Sequence, residues 1–376
     1  MKTVVEHLSN LIRIPSQSFL SNRPIIDYAK HVLNHSNWRS REFAYQDATG
    51  IEKVNLIAAP RGQNLDDSIV ELAFMCHTDT VPYSSSWPQA LEPSIANGSL
   101  HGCGACDVKG FLACLLTSIT ESDPLDFMDG LRLILTADEE IGCVGAAQLI
   151  ASGLIKPRRV VIGEPTSLHP ARAGKGYCLA EIIVFGEEAH SAHPQEGRSA
   201  IYKAARLLTA IEEYSSLLAK KQHPFFSPSF TTLNIGTIRG GTAKNVVPGQ
   251  CSFQLEWRPI PGQPMDMVPT AISRMTESLR DADPDFRYTF RVLRQQAGFE
   301  SAEDSKFVQS IETITGRAAT TIPFGSEANL LASVTNDVVV FGPGDMQTAH
   351  SNRECVPLNE LDEAVRCMRS LMKMSR

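Results

Sequence analysis

The chain has 376 residues, 43% of them hydrophobic and 20% charged, an ordinary globular composition with more length than one hydrophobic core usually serves. Its formal net charge of −7, with no basic stripe to offset it, speaks against nucleic acid as a partner and suits a cationic small molecule better. No run reaches the roughly 20 apolar residues of a membrane span, and Glu6 and His7 interrupt the start where a signal peptide needs an unbroken apolar core.

The opening "MKTVVEHLSNLIRIPSQS" instead predicts an amphipathic first helix. Apolar runs "KVNLIAA", "SIVELAFM", "LRLILTA" and "RRVVIGE" predict buried strands, and "VKGFLACLLTSIT" and "GCVGAAQLIASG" predict helices between them. That alternation predicts an α/β fold. The middle changes character. From "YCLAEIIVFG" through "FRYTFRVLR" the pattern reads strand, helix, strand, strand, helix, strand, which predicts a separate small α+β sandwich inserted into the larger domain. The expected division is 1–174 and 295–376 for the larger domain and 175–294 for the insert. "QHPFFSPS" reads as a loop, and "LNELDEAVRCMRSLMKM" as a closing helix. Nine cysteines, scattered through core-like segments, are expected to be reduced and buried, and the expected compartment is the cytoplasm.

Polar residues of a particular kind are stranded just after the predicted strands. His77 and Asp79 form an H-x-D pair in "MCHTDTVP", Asp107 lies in "GCGACDVKG", Glu139 and Glu140 are adjacent in "LTADEEIG", Glu164 ends "VVIGE", and His350 lies in "TAHSNRE". Open α/β sheets place their sites at the carboxyl ends of strands. Two histidines with several carboxylates make a hard N/O donor set, suited to zinc, cobalt or manganese. In the doublet one carboxylate can bind metal while the other accepts a proton from water. Asp79 could hold the second nitrogen of the His77 imidazole. Each feature alone has a plainer reading: a chance H-x-D, a solvated acidic turn over 138–140, a surface histidine at 350. Their joint placement after buried strands brings a metal hydrolase level with these plainer readings. Cys103 and Cys106 have the spacing of a redox pair or half a zinc site, but no second pair exists and the preceding "SIANGSLHG" is turn-rich rather than a strand.

Taken in order, "HTDTVP", "GCGACDVKG", "TADEEIG", "GEPT", "HSAHP", "NVVPG", "WRPIPG" and "AHSNRE" resemble the dinuclear zinc amidohydrolase and peptidase family, over nearly the whole chain. That family includes acetylornithine deacetylase, succinyl-diaminopimelate desuccinylase, aminoacylase and glutamate carboxypeptidase. The resemblance implies a zinc-peptidase-like catalytic domain with a mixed sheet flanked by helices, and a ferredoxin-like lid and dimerisation domain. It implies two divalent ions, zinc first and cobalt second, bridged by Asp107. His77 and Glu164 complete one ion, and Glu140 and His350 the other. Glu139 is then the general base, Asp79 supports His77, and the peptide after Asp107 is cis. His190, in a homodimer formed through the insert, reaches the partner's active site and steadies an oxyanion. His193 is a bystander. Arg258 grips a substrate carboxylate, for which its forked guanidinium is well shaped, and Asn245 assists near that carboxylate or the oxyanion. The chain departs from the family where Cys103 stands for a common arginine and Glu256-Trp257-Arg258 for an aspartate-arginine-proline run.

The stretch "IPFGSEANLL" resembles the substrate loop of the deacetylase branch. Gly325, Ser326 and Glu327 are therefore expected at the substrate, with Glu327 as partner for an amino group. The expected reaction is hydrolysis of N2-acetyl-L-ornithine to acetate and ornithine. Other acyl amino acids on the same scaffold, a dipeptidase, a non-catalytic binding protein and a thiol redox protein are the competing expectations.

Overall fold

The computed structural model describes residues 2–374. The chain forms two compact units: residues up to 173, 300–320 and from 326 onward make the first, and 174–299 with 321–325 the second.

In the first unit, four parallel strands lie side by side in the order Leu131–Thr136, Leu72–His77, Arg159–Gly163 and Asp337–Phe341. Every residue of the first two is buried, as expected of strands covered on both faces. The antiparallel pair Trp38–Gln46 and Glu52–Pro60 extends the sheet beside Leu131–Thr136, making it mixed. Helices Val4–Ile12, Arg23–His35, Lys109–Thr120 and Leu358–Met372 contribute to one core. Val4–Ile12 begins with a capping box, in which the Thr3 hydroxyl accepts from Glu6 and the Glu6 carboxylate accepts from Thr3. Lys109–Thr120 is buried through Ile119, an interior helix packed against Val4–Ile12 and Leu358–Met372.

Two predicted strands are broken. "SIVELAFM" is two strands, because the N–H of Glu71 turns aside to the Gly130 carbonyl. "NVVPGQCSFQLEWRP" is interrupted at Pro248, which has no N–H to give a ladder. Helix Arg23–His35 and strand Trp38–Gln46 have no predicted counterpart. The strand is a polar edge strand, half-exposed along most of its length, so no apolar run marks it.

The second unit has a four-stranded antiparallel sheet in the order Thr232–Gly240, Gln250–Arg258, Tyr177–Phe185, Arg287–Gln296. Burial alternates along Tyr177–Phe185, with Cys178, Ala180, Ile182 and Val184 facing the core. Helices Ala200–Leu218 and Met267–Ala282 place Leu207, Ile211, Val268 and Ile272 in the same core. All nine cysteines are free thiols, eight of them buried. Among the described residues no helix is long and apolar enough to cross a membrane.

Candidate metal centre

The parallel strands of the first unit end at one rim, and the predicted ligands gather there. His77 is the last residue of its strand, Glu139 and Glu140 follow Leu131–Thr136, and Glu164 follows Arg159–Gly163. Asp107 stands just ahead of helix Lys109–Thr120, after a cis peptide to Val108. Gly104 sets the approach to it at φ +78°, and a Cβ there would meet Lys109 and Thr80 at 2.9 Å, so only glycine fits.

Two donor groups share Asp107. One is His77, Asp107 and Glu164, all buried; the other is Asp107, Glu140 and His350, grading to the surface at His350. The donor atoms of each group lie within 4.8 Å of one another. His77 Nε2 is 3.1 Å from Asp107 Oδ1, and His350 Nε2 is 3.0 Å from Asp107 Oδ2 and 3.2 Å from Glu140 Oε1. Three carboxylates and two imidazoles thus converge in a mostly buried space. Buried carboxylates need compensating cations, and an N/O set shared through one acid fits a pair of borderline-hard divalent ions.

The protein's own groups respond accordingly. Burial lifts the Glu139 carboxyl to about 7, and burial with the neighbouring Asp107 charge drives Glu164 well above the usual carboxylate range. Burial opposes ionisation of Asp107 too, but bonds from His350 and His77 hold its carboxyl well below that range. Hydrogen bonds to Asp107 and Glu140 raise His350 to about 11. Glu139 is not a member of either donor group; its Oε1 accepts from the Cys143 thiol at 3.2 Å.

Asp79 supports the site differently from the expectation. His77 Nδ1–H donates to the Asp79 backbone carbonyl at 3.0 Å, while the nearer carboxylate oxygen stands off at 3.7 Å. That carboxylate is engaged elsewhere, accepting the N–H groups of Glu139 and Glu140 and the Ser18 hydroxyl. Asp138, the first acid of the run, is buried and bound to Lys53 Nζ and the Tyr45 hydroxyl, each at 2.8 Å. It anchors the turn rather than joining the cluster.

Glu327 precedes the short helix Ala328–Leu331 and is 1% exposed. Its Oε1 accepts from Thr136 Oγ1 at 2.5 Å, and among the described residues its Oε2 has no hydrogen-bond partner. Burial lifts this carboxyl to about 8. The buried Ser326 shapes the turn: its N–H donates to Asn329 and its hydroxyl accepts from Ala328 N–H. Gly325 ends the 321–325 segment that belongs to the second unit.

His190, Asn245 and Arg258 also belong to the second unit. His190 is exposed on a short strand paired with Val246, and the N–H of Ser191 donates to the Asn245 carbonyl at 3.0 Å. The Arg258 Nε–H donates to Glu256 at 2.9 Å, and its guanidinium lies over the Tyr177 ring. Trp257 is a core residue of this unit.

Cys103 and Cys106 are buried, and burial pushes the Cys103 thiol up to about 11 and Cys106 well above the ordinary thiol value, the opposite of a reactive pair. Sequence reasoning passed over Glu354, the acid that ends "AHSNRE". It is buried, lifted to about 7 by desolvation and then the Asp107 charge, and accepts three backbone N–H groups of the loop leading to Asp107. Its signal was present in the quoted motif. Beside His350 a cavity of about 210 Å³ is lined by Tyr83, Trp87, Cys103, Asn352 and Glu354.

A fold of this kind with a shared-carboxylate donor cluster at the strand ends defines a metallohydrolase scaffold, and the comparisons agree. Residues 73–374 match the model of peptidase family M20/M25/M40, and the chain belongs to that family. It is 41% identical over 361 residues to acetylornithine deacetylase of Myxococcus xanthus, covering 96% of this chain and 93% of that one. It is 30% identical over 383 residues to acetylornithine deacetylase of Proteus mirabilis, covering 99% and 97%. Among solved structures, the aminopeptidase PepT of Bacillus cereus superposes with a TM-score of 0.76 at 21% identity, covering 98% and 97%. A dinuclear metal-binding M20 peptidase of Bacillus subtilis, YXEP, does so with a TM-score of 0.71 at 15% identity, covering 98% and 96%.

Proposed function

We propose that this chain hydrolyses N2-acetyl-L-ornithine to acetate and L-ornithine, the ornithine-forming step of arginine synthesis, with two divalent ions as cofactors, zinc first and cobalt as the alternative. The observation that carries the reading is the 41% identity over 96% of the chain to the Myxococcus xanthus deacetylase. The donor cluster supports it.

In this reading Asp107 is the shared ligand, His77 and Glu164 complete one ion, and Glu140 and His350 complete the other. Divalent ions held there supply Lewis-acid polarisation of the amide carbonyl and acidify water. Glu139 takes a proton from the attacking water and passes it to the departing α-amine. The amide C–N bond breaks, the water oxygen stays on the acetyl carbon, and the base is restored. With protein groups alone burial lifts this carboxyl to about 7; divalent ions alongside would lower it, leaving a base ionised near neutrality that can give its proton back. Asp79 fixes the backbone of the doublet and supports His77.

Arg258 takes the substrate carboxylate, the Glu256 partner then giving way to the ligand, and Asn245 assists at that carboxylate or at the oxyanion. Gly325 and Ser326 lead to Glu327, whose unpartnered Oε2 is the acceptor assigned to the distal ammonium. His190 steadies the oxyanion from the partner subunit of a homodimer. The dimer surface has support in the second unit, where Ile201, Tyr202 and Ile238 are exposed and Ile201 lies against Gly240 of the edge strand. The proposed compartment is the cytoplasm, which the nine free thiols suit.

The test is amine release from acetylornithine, acetylcitrulline, acetyl-lysine, succinyl-diaminopimelate and an unblocked dipeptide, each with zinc and with chelator. Chelator-sensitive release strongest on acetylornithine is expected. A preference for another acyl amino acid or the dipeptide removes the substrate assignment and keeps the hydrolase; no release from any overturns the catalytic reading.

A further inference from the structure

Asp107, the acid shared by both donor groups, is held in place by a residue from the far end of the chain. The Glu354 carboxylate is 3% exposed. Its Oε1 accepts the N–H groups of Cys106 and Asp107 at 3.2 and 3.1 Å, and its Oε2 accepts that of Gly104 at 3.0 Å. The backbone of the same residue works in two further directions. Its N–H donates to the Ser351 carbonyl at 3.1 Å, closing the turn that follows His350, and its carbonyl accepts the N–H of Gly102 at 3.3 Å. Among the described residues its side-chain partners are these amides and the Cys106 thiol, with no lysine or arginine paired to it. A buried acid met by converging backbone donors is an arrangement for holding a loop.

We infer that Glu354 is a positioning residue that locks the turn bearing Asp107 to the turn bearing His350, and so sets the separation between the shared carboxylate and a ligand imidazole. The inference rests on the metal reading given above. Only a carboxylate serves here. Glutamine has one acceptor oxygen, and its amide N–H₂ would face a backbone N–H at the other end. Aspartate is one methylene too short to reach both turns.

The experiment compares the unmodified protein with Glu354→Gln and Glu354→Ala. Zinc affinity is read by competition with a chromogenic chelator, kcat and KM are read at saturating zinc, and thermal unfolding is read in the metal-free form. Both variants are expected to bind zinc about 10- to 100-fold more weakly, the usual cost of losing an outer-shell partner. Their kcat should fall at saturating zinc with KM little changed. Lowered thermal stability with zinc affinity and kcat unchanged in the folded fraction overturns the inference, since a residue that merely holds the fold gives that pattern. An unmodified protein that takes up no divalent ion overturns the metal reading and this inference with it. Should neither variant fold, hydrogen exchange in the unmodified, metal-free protein decides: slow exchange at Gly104, Cys106 and Asp107 supports the lock, and exchange at open-loop rates overturns it.

Discussion

Asp79 and Glu139 are joined by a hydrogen bond of 3.0 Å, from the Glu139 N–H to Oδ1 of Asp79. The other oxygen accepts from the Glu140 N–H at 3.2 Å and the Ser18 hydroxyl at 2.7 Å. One carboxylate therefore sets the backbone of both the proposed base and a proposed ligand, although it belongs to the loop after a different strand. Asparagine offers one acceptor oxygen where two N–H groups and a hydroxyl need acceptors on both sides. Asp79→Asn is expected to lower kcat about 10- to 100-fold, the range for an outer-shell partner. Metal analysis alongside kinetics checks it; unchanged turnover in a fully loaded variant removes the role.

Glu139→Gln keeps the shape of the side chain and removes its basicity. Because Glu139 lies outside both donor groups, both ions should remain while kcat falls about 10²- to 10⁴-fold, the span of general acid–base contributions. In the unmodified enzyme, kcat/KM should fall as pH drops and the carboxyl takes up the proton it must be free to accept. The carboxyl lies at about 7 with protein groups alone. Divalent cations alongside stabilise the charged form, so the acidic limb of the loaded enzyme belongs below that value. A profile flat down to the usual carboxylate range speaks against Glu139 as base.

Removal of divalent ions should lower stability as well as abolish turnover, and the deficit should widen with pH. Burial raises Glu139 to about 7 and Glu164 well above its ordinary value, so the metal-free folded state carries protons that the unfolded chain has released. Between the two sets of pKa values the folded state binds more protons, and stability falls as pH rises. Ions bound in place of those protons cancel that loss. The rise in Tm on adding zinc is therefore expected to be larger at about pH 8 than at about pH 6. A constant increment across that range contradicts the charge balance drawn for the site.

Most of the proposed ligands were legible because they abut an apolar strand or helix, a boundary that shows in one dimension; His350, in a turn, is marked only by its motif. His77, Glu139, Glu140 and Glu164 all sit on such boundaries. What holds them was not legible. The Ser18 bond to Asp79 spans 61 residues and the Glu354 bond to Gly104 spans 250, and a hydrogen bond to a distant backbone amide leaves no local pattern. Asp138 shows the same limit from the other side. It looks like part of an acidic triplet, yet it is buried against Lys53, itself an ordinary-looking lysine at the head of an apolar run.

His190 is exposed and lies outside both donor groups. His190→Ala should keep zinc affinity and lose turnover by about 10²- to 10³-fold, the range for one lost oxyanion donor. Mixing it with an Asp107→Asn partner tests action in trans, since a mixed dimer has one site with both residues intact. Recovered activity in the mixture supports the crossing; none places His190 outside the partner's site.

Glu327 separates two chemical roles. Its carboxyl is raised to about 8 by burial, above the 4.5 of a free glutamate. From 4.5 upward the folded state keeps a proton that the unfolded chain gives up, so this group costs stability increasingly until pH passes about 8. Glutamine resembles the protonated acid and has no such proton to lose. Glu327→Gln should therefore melt with the parent at about pH 5 and above it at about pH 8.5. Its kinetics then discriminate. If Oε2 receives the substrate's distal ammonium, KM for acetylornithine rises about 10-fold or more, the scale of a hydrogen bond to a charged group, while acetylcitrulline, whose distal group is neutral, is barely affected. If both substrates keep their KM, the carboxyl serves through Thr136, the last residue of a strand paired with the one ending at His77, and selectivity for ornithine has to be sought among the residues around the cavity beside His350.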